Sequence, residues 1–185
     1  LNVLKALFLD LDDTLCDTST ANEQAMRLMA ESLQAQYGHE FDGQGFSRAY
    51  VQCIYRNWSD SQRADYTPII EQQSESAFRV QLIRDLLAGQ GVRSVTEVEA
   101  QSVQHKFDRD RLQAFGFYAG ITGFLAEARK IFTLVVITNG PEYSQIPKVE
   151  AVNLAAHVDH IIIGGQEPEQ KPARSIFEKA LKLAG

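Results

Sequence analysis

The chain has little that could cross-link it, anchor it or give it a positive surface. Two cysteines, Cys16 and Cys53, stand among 185 residues, too few for a disulfide framework and not at metal-ligand spacing. A reducing cytoplasm is therefore the expected compartment. No apolar run reaches the length of a membrane span. The early apolar stretch 3–9 contains Lys5 and runs directly into aspartates, which excludes a signal peptide. The chain starts at Leu1 rather than Met, as a processed or trimmed chain would. Cationic residues are also the minority: 18 Lys and Arg against 24 Asp and Glu leave a net charge of −6. That balance argues against nucleic acid as a partner, and no membrane partner is expected either. Oligomeric state is not legible.

Other chemistries are excluded by spacing. A cysteine-dependent phosphatase needs an arginine six positions after its nucleophile, whereas Cys16 is followed there by Asn22 and Cys53 by Ser59. No Gly-x4-Gly-Lys-Ser/Thr phosphate loop is present. The four histidines show no metal spacing; His157 lies near a helix end and His160 opens a strand, so both read as structural.

What is present is an acidic cluster at the end of a greasy segment, Leu7-Phe8-Leu9-Asp10-Leu11-Asp12-Asp13-Thr14. Aspartates this close repel one another and resist desolvation unless something cationic compensates. With the period-two alternation of a strand, Asp10 and Asp12 point the same way if the chain stays extended. Residues 4–9 read as a buried strand, followed by about a hundred residues of helical patterning. A helix over 19–37 ends at Gly38, and further helices are expected near 43–57, 68–88 and 95–113. From Gly120 the pattern changes to strand–helix alternation: helix 121–130, strand 132–137, helix 144–154, strand 160–163 and helix 173–184. The last helix is expected to bury Ile176, Phe177, Ala180 and Leu181. Such alternation predicts an α/β fold with a parallel sheet, interrupted after its first strand by a helical insert. Within that insert Arg56, Arg63 and Arg79 are possible anion contacts or solvated helix positions, and Trp58 and Tyr66 pack on the core or line a pocket.

Ligands of open parallel sheets bind outside the carboxyl ends of the strands. That rule brings Asp10 and Asp12, Thr138-Asn139-Gly140, and Lys171 in the loop after the third strand to one edge. Gly164-Gly165 in that loop reads as a turn rather than a phosphate cradle. Acids, a hydroxyl with backbone amides, and a cation suit phosphoryl transfer to a carboxylate.

Asp10-Leu11-Asp12-Asp13-Thr14, Ile137-Thr138-Asn139-Gly140 and Lys171-Pro172 resemble the first three motifs of the haloacid dehalogenase-like hydrolase superfamily, helical-cap subclass. Asp17-Thr18 and the run from Ile163 to Phe177 are similar to its sugar-acid phosphatases, with pyrimidine 5′-nucleotidases next. The resemblance implies a Rossmann-like core over 1–17 and 115–185 and a helical cap over 18–114 that sets specificity. It implies a Mg²⁺-dependent phosphatase of a small phosphorylated metabolite, a sugar-acid phosphate or a nucleotide monophosphate. Asp10 would be the nucleophile and Asp12 the general acid and base. Thr138 and the Asn139 amide would hold the phosphoryl oxygens, and Lys171 would neutralise charge. Mg²⁺ would bind the Asp10 carboxylate and the Asp12 carbonyl. Asp13 falls to a turn or capping role. Dehalogenases of the superfamily lack an acid at the position of Asp12, which favours phosphate chemistry. The pattern departs from the family after the last helix, where a further strand and an acidic loop are expected. No Gly-Asp or Asp-Asp pair follows Lys171. The expectation is a fragment with its core truncated at the carboxyl end, binding Mg²⁺ weakly and turning over poorly. A non-catalytic phosphate-binding relative and a phosphomutase stay open as alternatives.

Overall fold

Short apolar runs at 7–9, 134–137 and 161–163 form the strands of a central sheet. A computed structural model describes residues 5–185. Among the described residues the sheet has three parallel strands in the order β1 (Ala6–Leu9), β2 (Thr133–Thr138), β3 (His160–Ile163). Ala6 pairs with Thr133 and Leu9 with Val136, while Val135 pairs with His160 and Thr138 with Ile163. Strand β2, flanked on both sides, is buried from Leu134 to Thr138, as a central parallel strand should be. The part of the expected first strand at Leu4 lies outside the described residues.

The chain divides into two units: the part up to Ser19 together with Phe115–Gly185, and Thr20–Ala114. The first holds the sheet with α6 (Ile121–Ala128), α7 (Glu142–Ala151) and α8 (Arg174–Ala184). On one face of its sheet, Val135, Ile137 and Ile162 pack with Ile176 and Ala180 of α8. Leu134 and Val136 are equally buried on the opposite face. At the start of β2, Asp159 accepts the Leu134 N–H at 2.9 Å and Arg129 Nε at 2.9 Å. Where the chain leaves this unit and returns to it, Cys16 and Phe117 form an antiparallel bridge. Asp17 N–H donates to the Gly116 carbonyl and Tyr118 N–H to that of Leu15, each at 3.0 Å.

The second unit is helical, with most of α1 (Thr18–Tyr37), then α2 (Gly43–Ile54), α3 (Asp60–Gln72), α4 (Glu75–Gly89) and α5 (Glu97–Ala114). Its core gathers Phe46, Tyr50, Phe78, Leu82, Ile83 and Phe107. Trp58 and Tyr66 belong to this packing, their rings 5.4 and 5.2 Å from that of Phe78. Arg79, almost wholly buried, pairs with Glu75 at 3.1 Å and Asp108 at 3.3 Å, and Arg56 also pairs with Glu75. These arginines therefore neutralise carboxylates of their own unit, while Arg63 is exposed on α3.

Several boundaries differ from expectation. The helix anticipated over 68–88 is two, because Ser74 leaves the helical conformation and accepts the Ala77 N–H as the cap of α4. The preceding helix starts at Asp60, behind a capping box of Ser59 and Gln62, and carries Pro68 in its interior. Helix α7 spans Glu142–Ala151 instead of 144–154, with Pro147 inside it. Leu181 is 59% exposed rather than buried. Ile176 and Ala180, four apart, face the sheet, and Leu181 lies one step of about 100° around the helix from Ala180. Among the described residues no helix is long and apolar enough to cross a membrane.

Candidate active site

Strand β1 stops at Leu9, and the next residues form a tight turn. The Leu11 carbonyl accepts N–H groups from Leu15 at 3.1 Å and Cys16 at 3.0 Å, while Leu11 itself is fully buried. Asp13 occupies the left-handed region, φ 54°. Its carboxylate accepts the Ser19 N–H and hydroxyl, both at 2.8 Å, so it caps the first turn of α1.

This turn gives Asp10 and Asp12 different surroundings. Asp10, with 43% of its side chain exposed, accepts Lys171 Nζ at 2.7 Å and the Leu11 N–H at 2.8 Å. Both contacts fall on Oδ1, and Oδ2 has no partner among the described residues. Asp12 is more enclosed. Its Oδ1 accepts the Thr18 hydroxyl at 2.6 Å and Lys148 Nζ at 2.8 Å, and its Oδ2 accepts Gln145 Nε2 at 3.0 Å. Burial alone would raise the Asp12 pKa; the Lys148 charge and the hydrogen bonds from Lys148, Thr18 and Gln145 outweigh it and hold the carboxyl below its ordinary value. Burial, with the Asp12 charge behind it, pushes the neighbouring Cys16 thiol up to about 12, so that thiol stays protonated.

The loops after β2 and β3 are laced together beside these carboxylates. Asn139 bonds the main chain of Lys171 twice, Nδ2 to its carbonyl and Oδ1 from its N–H, both at 2.9 Å. Gly140 N–H donates to Gln170 Oε1 at 2.9 Å, and Gly165 N–H to the Gly140 carbonyl at 2.9 Å. Gly164–Gln166 is a 3-10 turn, as a turn reading of the two glycines expects. A Cβ on Gly165 would stand 2.7 Å from the Gly140 carbonyl oxygen, so only glycine permits this approach. Thr138 is fully buried at the end of β2, its hydroxyl 3.5 Å from the Asn139 carbonyl.

The structure thus brings Asp10 and Lys171 into direct contact, and Asn139 against the main chain of Lys171. Lys148, Gln145 and Thr18, all on Asp12, were not singled out from the sequence. The signal was available in part: a buried aspartate demands a cation, and Gln145 and Lys148 are three apart on one face of α7.

A divalent ion would find a sparse oxygen site here. Among the described residues no group of three His, Cys, Asp or Glu side chains converges. The Asp12 carboxylate is turned toward Lys148, Thr18 and Gln145, which leaves its main-chain carbonyl as the donor for a cation. The half-exposed Asp10 carboxylate supplies the other. Mg²⁺ fits such a site, since it retains several waters and takes one or two carboxylates with substrate phosphate.

The molecule has known likenesses. It is 29% identical over 187 residues to the rat (Rattus norvegicus) N-acylneuraminate-9-phosphatase, covering 100% of this chain and 71% of the relative. Among solved structures, a HAD-hydrolase, YfnB from Bacillus subtilis described as bound to magnesium, aligns with a TM-score of 0.55 at 17% identity. The alignment covers 98% of this chain and 72% of that one. A 2-haloacid dehalogenase from Pseudomonas syringae pv. Tomato aligns with a TM-score of 0.60 at 23% identity, covering 98% and 73%. These structural likenesses show the fold, which phosphate and halide chemistry share. The family model for haloacid dehalogenase-like hydrolases matches residues 4–185, and the chain, with its parallel-sheet α/β core, belongs to that family of hydrolases.

Proposed function

We propose that the protein is a Mg²⁺-dependent phosphatase of a small phosphorylated metabolite, acting through an aspartyl-phosphate. The observation that carries this reading is the division of labour between two carboxylates two residues apart, each with its own lysine. Asp10 presents an oxygen with no partner among the described residues, beside the Lys171 ammonium. Asp12 is held by Lys148, Thr18 and Gln145. An Asp10 oxygen forms the bond to phosphorus as the ester P–O bond breaks, and the departing oxygen takes the proton that Asp12 acquires when the anionic phosphate brings like charge beside it. A water oxygen then attacks phosphorus, Asp12 takes the water's proton, and the Asp10–phosphorus bond breaks to release phosphate. Lys171 offsets the charge gathered around the nucleophile, while Thr138 and the Asn139 N–H hold phosphoryl oxygens. A bound Mg²⁺, held by the Asp10 carboxylate and Asp12 carbonyl, would supply charge neutralisation at the phosphate.

Likeness to N-acylneuraminate-9-phosphatase favours a phosphorylated sugar acid as substrate, with a nucleotide monophosphate as the second class to try. An acid at Asp12 favours phosphate over carbon–halogen chemistry. Two buried, unpaired cysteines accord with a reducing, cytoplasmic setting. Phosphate release from a panel of sugar-acid, sugar and nucleotide phosphates, with and without Mg²⁺, tests the reading. Release that requires Mg²⁺ and vanishes in Asp10→Asn is expected. Release no greater than that of Asp10→Asn across the panel would refute it, and phosphoryl transfer to a second sugar hydroxyl would convert it to a mutase.

A further inference from the structure

The structure assigns Lys148 and Gln145 as positioning residues of Asp12, fixing which carboxylate oxygen exchanges the proton. This rests on the phosphatase reading above and adds residues and an atom to it. The two oxygens of Asp12 are not equivalent. Oδ1 is occupied by an ammonium at 2.8 Å and a hydroxyl at 2.6 Å, whereas among the described residues Oδ2 holds only the Gln145 amide at 3.0 Å. Oδ2 therefore keeps lone-pair capacity for a leaving oxygen or a water.

Lys148 is 2% exposed, its Nζ 5.8 Å from the centre of the Phe115 ring. An ammonium so enclosed is stable only beside a fixed anion, and Asp12 is such an anion. Gln145 ties Asp12 to the loop after β2. Its Nε2 donates both to Asp12 Oδ2 and to the Asn139 carbonyl, at 3.0 and 2.7 Å. Its Oε1 is buried with no partner among the described residues. Turning the amide over would set Oε1 against two acceptors, so its orientation is dictated by the bridge. One amide nitrogen thereby holds the proton-exchanging oxygen at a set place relative to the loop carrying Thr138 and Asn139.

Lys148→Met and Gln145→Met keep side-chain length and remove the donors. Misplacing a reacting group by about 1 Å costs ~100-fold, so kcat on an alkyl phosphate should fall by that order while KM stays within about twofold. With 4-nitrophenyl phosphate, whose leaving group needs no proton, the variants should release a burst of nitrophenolate and then turn over slowly as aspartyl-phosphate accumulates. A loss of packing alone would raise KM and give no burst. Should Lys148→Met fail to fold, the neutral exchange Gln145→Met carries the same test. A folded variant with undiminished kcat, or a loss without a burst, overturns the assignment. If the unmodified protein releases no phosphate, the phosphatase reading fails by itself. Crystal structures of the variants then decide the positioning, and an Asp12 carboxylate in its original orientation in both overturns it.

Discussion

A glycine and a carboxylate show how finely single residues set this molecule. Gly140 has φ +116°, and a Cβ there would stand 2.8 Å from Gln145 Nε2. Gly140→Ala should thus cost about 1–2 kcal/mol of stability in urea denaturation, from backbone strain alone, and lower turnover by displacing the Gln145 bridge. At the far end of β2, the Leu134 N–H, and then Arg129, hold Asp159 below the ordinary carboxyl value of 3.8 despite some desolvation. A depressed folded-state pKa contributes stability that is fully present above 3.8 and is lost as pH falls through the lowered value. Asp159→Asn should therefore melt below the unmodified protein at neutral pH, with the gap in Tm closing below pH ~3.8. Asp10, Thr138 and Lys171 were legible because a strand-end rule names the places where chemistry collects. Lys148 and Gln145 were not, since only the folded turn shows that Asp12 faces α7 while Asp10 faces the loop after β3.

Among the elements, strands and their parallel pairing follow from apolar runs that few other structures tolerate, and β2 and β3 fall within a residue of expectation. Helix ends were read less well. Pro68 opens the helix expected over 68–88, yet it sits inside α3, whose entry is set at Ser59, and α7 enters behind Pro141, two residues before the expected start. The helical unit also carries an ion-pair knot that apolar periodicity cannot announce, with Arg79 between Glu75 of its own helix and Asp108 of α5. Removing one member of a buried charge group leaves the others uncompensated. Arg79→Leu should cost about 3 kcal/mol in chemical denaturation, although leucine is the more apolar residue.

For the whole molecule, sequence separation matters. The contacts of the helical unit join helices near in sequence, α4 with α5, α2 with α4 and α3 with α4. The β1–β2 pairing instead joins residues on either side of that unit. Local contacts form faster than distant ones. Pulse-labelled hydrogen exchange during refolding should therefore show amides of α4 and α5 protected before those of β1, and simultaneous protection would contradict the ordering. The Cys16–Phe117 bridge sits at the junction of these two histories. Its partners lie about a hundred residues apart, yet the entropy of closing a loop grows only logarithmically with length. The α/β unit consequently experiences the insert as a turn, and helical inserts of other sizes could be exchanged at this clasp without resetting the register of the sheet.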